Sequence, residues 1–159
     1  MTKLIVVLTL FVSMNTLKAN DLPMLNDSIS RTDYAKKLEK VVNTLEKGRK
    51  TRLSAIEYTI PRSNAEFHIF YSYTSKTQPM QKAFYELNRL FEKNAQSRQL
   101  DFFIHYLNFA AYVDGEFAES YFDSVVSIIE KNQAYYARIQ GKLNQKARNR
   151  VAAHFNINR

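Results

Sequence analysis

Residues 79–94 read PMQKAFYELNRLFEKN. Met80, Phe84, Leu87 and Phe91 recur at i, i+4, i+7 and i+11, which puts all four on one face of a helix. Pro79 suits the first helical turn, where its missing N–H has no intrahelical partner to lose. The stretch closes on Phe91-Glu92-Lys93-Asn94, a cation in the last turn followed by a residue that tolerates the left-handed conformation. Both chemistries serve to stop a helix.

The same ending occurs on either side. Leu45-Glu46-Lys47-Gly48 follows a helical face of Tyr34, Leu38, Val41, Val42 and Leu45, with Thr32 available as N-cap. Ile129-Glu130-Lys131-Asn132 follows Phe117, Tyr121, Val125, Ile128 and Ile129, behind Asp114 as cap. Between them, Phe102 to Val113 is apolar almost all round, which predicts a central helix covered on several sides. A further aromatic helix, Glu66 to Tyr73, is introduced by the capping-box pattern Ser63-Asn64-Ala65-Glu66. The endings at Asn94 and Asn132 lie 38 residues apart, which raises two degenerate helical hairpins as one architecture and an irregular bundle as the other. Ser54 to Ile60 fits a strand through Ile56, Tyr58 and Ile60 or a helix through Leu53, Ile56 and Ile60. Since no second strand exists to pair with it, helix is the expectation, ended by Pro61. The fold class expected is therefore all-α: a single domain over residues 32–159, either an irregular helical bundle or a short solenoid-like stack of helical hairpins.

Upstream of this domain, residues 1–19 have the three parts of a secretory signal: Lys3, the apolar run Leu4 to Val12, and a polar stretch ending at Ala19. A run of nine residues is too short to span a bilayer. Residues 20–31 mix Asp, Asn, Ser and Pro23 without a period and read as a flexible leader. The expected location after cleavage is periplasmic or secreted.

Composition removes several functions. With no cysteine, the chain can build no disulfide scaffold, no Cys-ligated metal site and no thiol mechanism. Three glycines in 159 residues leave no room for a Gly-rich phosphate or dinucleotide loop. Neither a Gly-x-Ser-x-Gly elbow nor a Ser-x-x-Lys motif occurs. Ten tyrosines and eleven phenylalanines, with no tryptophan, make the chain unusually aromatic. Most aromatics at helical spacing are core. Some of Tyr71, Tyr73, Tyr106, Tyr112, Tyr121, Tyr135 and Tyr136 are expected to face a groove, because Tyr offers a large contact area with a polar handle.

His68, His105 and His154 are too far apart for a short metal motif. The acidic run Asp114, Glu116, Glu119 and Asp123 stands at a predicted helix start, where the dipole favours acids without any site. A small hydrolase or metal-binding protein using His105 and this run is one alternative function. It would require these groups to converge.

Charge is distributed unevenly. Residues 101–130 hold six acids and no Lys or Arg, whereas residues 131–159 hold seven Lys or Arg and no acid. Arg138, Lys142, Lys146 and Arg150 recur every four residues beside Ile139, Leu143, Ala147, Val151 and Phe155. That is one basic amphipathic helix if Gly141 is tolerated, or two shorter ones with Asn144 as a cap. These four cations, with Tyr135 and Tyr136, are the expected binding residues, and neutralising the four is expected to leave the fold intact. The function expected is that of an exported, non-enzymatic binding protein of the bacterial envelope or extracellular space, without cofactor or metal. Its partner is expected to be another protein. An anionic membrane surface or polyanion reached through the basic C-terminal helix is the other alternative; nothing signals sequence-specific nucleic-acid binding.

Overall fold

In the computed structural model, residues 21–73, 77–97 and 99–157 are described, with side chains from Arg31 to Asn156 within these ranges. The expected signal peptide, residues 1–19, lies outside the described residues.

Helix α4 (Gln78–Gln96) forms for the reasons its sequence gives: Thr77 accepts a hydrogen bond from the Met80 N–H at 3.3 Å, Pro79 stands in the first turn, and Lys93 in the last. Its stripe of Ala83, Phe84, Leu87, Phe91 and Ala95 is fully buried. Around it lie α1 (Asp21–Glu46), α2 (Leu53–Tyr58), α5 (Leu100–Asn108) and α6 (Gly115–Lys131), all in contact with α4. Helix α3 (Asn64–Ser72) packs on α1. The C-terminal part comprises the short α7 (Gln133–Ile139), a 3₁₀ turn at Gln140–Lys142, and α8 (Gln145–Ile157). Among the described residues there is no strand, and no helix is long and apolar enough to cross a membrane.

The principal backbone packing joins α1 to α4, α4 to α5, and α8 to the 3₁₀ turn Phe109–Ala111 that follows α5. The two expected hairpins, α3 with α4 and α5 with α6, are not among these contacts; the fold is an irregular bundle. What brings those successive helices together is their aromatic side chains. Phe70 of α3 meets Phe84 at 4.5 Å and Phe91 at 5.9 Å, while Tyr106 of α5 meets Tyr121 of α6 at 5.3 Å. Rings at these spacings and mostly tilted angles add about 0.5–1.5 kcal/mol per pair beyond simple burial.

Three expectations change at helix ends. Helix α1 begins at Asp21, not after Thr32, so the stretch 20–31 read as a flexible leader is helical from Asp21. Pro23 is compatible with this because the first four N–H groups of a helix have no internal acceptor. Gly48 stops α1 as expected, at φ 67°, with Gly48 N–H donating to Leu45 and Arg49 N–H to Thr44, the paired bonds of a Schellman turn. Asn94 and Asn132 do not adopt that conformation. Asn94 lies inside α4 and donates from Nδ2 to the Leu90 carbonyl at 2.7 Å; Asn132, at φ −135°, donates from Nδ2 to Ile128 at 2.9 Å. Their amides cap carbonyls four residues back, a role glycine cannot fill.

Candidate functional site

The four C-terminal cations do not share one face. Leu143 takes an extended conformation (φ −73°, ψ 147°), which breaks the segment, and Asn144 Oδ1 accepts from the Ala147 N–H at 2.8 Å to start α8. Of the two arrangements open to the sequence, the chain takes the two shorter helices. Arg138, Lys142 and Lys146 are exposed, Arg138 lying 5.6 Å from the ring centre of Tyr135. Tyr135 and Tyr136 are half-buried; Tyr135 packs edge-on against Phe103 at 5.3 Å, and burial raises the Tyr136 phenol.

Arg150 departs from the other three. Its Nη1 donates to the carbonyls of Ala110 at 2.9 Å and Val113 at 2.7 Å, and its guanidinium covers the Phe122 ring at 5.2 Å. The Ala110 carbonyl belongs to the 3₁₀ turn that ends this segment, where helical geometry leaves acceptors without partners, and the Val113 carbonyl lies two residues beyond it. Arg150 therefore acts as a cap delivered from another helix, and neutralising it would remove both bonds. The expectation that all four cations are dispensable for folding is thus put to the test at Arg150, where those bonds tie α8 to the segment after α5.

His105 and the acidic run are not brought together. His105 Nδ1 lies 2.7 Å from Glu57 Oε1 on α2, a half-buried pair. Asp114 caps the Gly115 N–H at 2.8 Å, Glu119 and Asp123 face solvent, and Glu116 stands at the groove described below. His154 lies flat on Phe122, ring centres 3.6 Å apart at an interplanar angle of 2°, and His68 is exposed. Among the described residues, no three His, Asp or Glu side chains converge on a metal position.

What the structure does assemble is an open aromatic groove of about 590 Å³ between α4 and α6. Gln81, Tyr85, Asn88 and Glu92 line it from α4, again at i, i+4, i+7 and i+11, on the face beside the buried stripe. Glu116, Phe117, Ser120 and Tyr121 face them from α6; Phe84, Tyr106 and Tyr71 form the floor and one end. Tyr121 is buried and donates its hydroxyl to the Tyr106 carbonyl at 2.6 Å. Burial, reinforced by the Glu92 carboxylate, holds the Tyr106 phenol far above its usual range, against a lowering hydrogen bond with Ser124. Ser124 Oγ in turn donates to Glu92 Oε1 at 2.8 Å, which fixes that carboxylate at the groove wall.

Of the tyrosines expected to line a recognition surface, Tyr71, Tyr106 and Tyr121 meet here. Tyr73 is buried elsewhere, and Tyr112, Tyr135 and Tyr136 are half-buried outside the groove. Tyr85, 71% exposed, is a groove residue that the spacing argument passed over, because it lies off the apolar stripe. A large aromatic on an otherwise polar helix face was the available signal.

A second, shallower groove of about 450 Å³ runs along the end of α1 and is lined by Lys36, Lys40, Lys47 and Arg49, with Glu39, Asn43 and Thr44. Comparison with protein-family models, with curated proteins and with solved structures gave no match.

Proposed function

We propose that this protein is an exported, non-enzymatic binding module that docks another protein in the aromatic groove between α4 and α6. The observation that carries the reading is that Tyr85, 71% exposed, and Tyr71, 38% exposed, line one groove with the buried rings of Phe84, Tyr106 and Tyr121. Exposed tyrosines over a pre-formed concave floor offer contact area at low entropy cost, which is what a binding hot spot requires. A photo-crosslinking residue at position 85 tests it, with position 36 on the second groove as control. Specific adducts with an envelope or secreted protein from position 85 alone are expected; equal adducts from both, or none from 85, would remove the reading. Export rests on the pattern of residues 1–19, and intact-mass measurement of the secreted protein should show their loss.

A second reading is favoured by the exposed cations Arg138, Lys142 and Lys146 together with Lys36, Lys40, Lys47 and Arg49: electrostatic attachment to an anionic surface or polymer. Such binding falls steeply with added salt. Sedimentation with anionic vesicles at two salt concentrations separates it from docking in the aromatic groove.

A further inference from the structure

We infer that the groove between α4 and α6 recognises a cationic side chain, lysine or arginine, carried on an extended peptide segment of the partner. This rests on the reading of the groove as a binding site and specifies what enters it. The charges lining the groove are Arg89, Glu92 and Glu116. Arg89 is already committed: its Nε and Nη2 bond both oxygens of Glu86 at 2.8 and 2.6 Å within the same helix. Two carboxylates remain. Glu92 takes one hydrogen bond from the neutral Ser124, and among the described residues neither Glu92 nor Glu116 has a cation within ion-pair distance. The groove is thus a negative place on a chain with a formal charge of +8.

The rings point to the same ligand. An aromatic face carries negative electrostatic potential and attracts ammonium or guanidinium groups placed over it. Tyr85, 71% exposed, is the most accessible ring lining the groove, and Phe117 is half-buried in the same groove, so the aromatic lining and the two carboxylates favour the same sign of charge. A volume of about 590 Å³ exceeds the needs of one cationic head group. Along the groove, Asn88 Nδ2 and Ser120 Oγ already donate to the Phe84 and Phe117 carbonyls, which leaves the Gln81 amide and the oxygens of Asn88 and Ser120 as neutral polar groups that suit peptide N–H donors and argue for a peptide rather than a free amine.

The test uses short Gly/Ser-spaced peptides, each carrying one lysine, arginine, norleucine or glutamate, titrated into the isotope-labelled protein by NMR. Lysine and arginine peptides should shift resonances of Tyr71, Tyr85, Glu92 and Ser120, with norleucine and glutamate peptides inert. Glu92→Gln keeps the acceptor for Ser124 and should weaken binding about tenfold, equivalent to about 1.4 kcal/mol. Tyr85→Ala, at an exposed position, should weaken it while leaving the circular dichroism spectrum intact. Equal groove shifts from the norleucine peptide would overturn the cation inference and leave the docking site standing. Lysine-peptide shifts confined to other surfaces, or no shifts from any peptide, would overturn the inference, and the latter would take the groove reading with it.

Discussion

Arg150→Met isolates the cap that α8 provides to the end of α5. Methionine keeps an unbranched apolar stem and removes the guanidinium, with its two hydrogen bonds and its contact with the Phe122 ring. The wild-type group makes two charge-assisted hydrogen bonds, to Ala110 and Val113, at 2.9 and 2.7 Å. A hydrogen bond to a charged group contributes about 1.5–3 kcal/mol, and losing the donor leaves its acceptors to find water. Both bonds come from one half-buried side chain, so water reaches part of the vacated position and the two do not simply add. A net loss of about 2–3 kcal/mol follows, at the upper end of ordinary single substitutions. For a domain of this size, each kcal/mol corresponds to roughly 2–4 °C, giving a fall in Tm of about 4–12 °C. Urea unfolding followed by circular dichroism should show a lower midpoint at unchanged slope. The triple variant Arg138→Met, Lys142→Met, Lys146→Met should melt with the wild type. Arg150→Met melting unchanged, or the triple variant falling as far, would refute the assignment of Arg150 to the fold.

Tyr34→Phe should cost about 1–3 kcal/mol in chemical denaturation, because its hydroxyl donates at 2.8 Å to the buried Thr59 carbonyl, which the variant leaves without that donor. Leu87→Ala, at the fully buried centre of the α4 stripe, should cost about 2–5 kcal/mol by the same measurement. Ser63→Ala removes the acceptor for the Glu66 N–H at the start of α3 and should cost about 1 kcal/mol, read as a small drop in Tm. The phenols of Tyr34, Tyr106 and Tyr121 are held above their usual value mainly by burial. The unfolded chain therefore loses these protons first as pH rises, so stability is intact below the unfolded value near 10 and falls above it, by about 1.4 kcal/mol per pH unit for each. Tyrosinate absorbance should appear in step with loss of helix; ionisation of all ten tyrosines in a still-folded chain would contradict it.

The α4 stripe was readable residue by residue because its apolar side chains repeat at the helical period and nothing competes with that pattern. Gly48 was readable for a related reason, since glycine has few other purposes at a helix end. The asparagines at 94 and 132 were not, because their amide offers a second way to satisfy the same carbonyls. Residues 21–31 carry no period to announce the start of α1. The cations at 138, 142, 146 and 150 look equivalent along the chain, and only the packing of α8 on the 3₁₀ turn distinguishes Arg150. The Glu57–His105 pair joins residues 48 apart and has no local signature. The groove was half legible: its tyrosines stood out, while its carboxylates and Tyr85 gain meaning only once α4 and α6 are set face to face.

The flat stack of His154 on Phe122 makes α8 its own reporter. An imidazole held parallel to a phenyl ring at 3.6 Å lies within the ring-current field of that neighbour, so its carbon-bound protons should resonate well upfield of those of His68, which is exposed. The two rings come from α8 and α6, and the stack exists only while those helices are docked. One resonance, resolved by the anisotropy of a single phenylalanine, can therefore follow the seating of the last helix through titration, heating or ligand addition without any label on the groove itself.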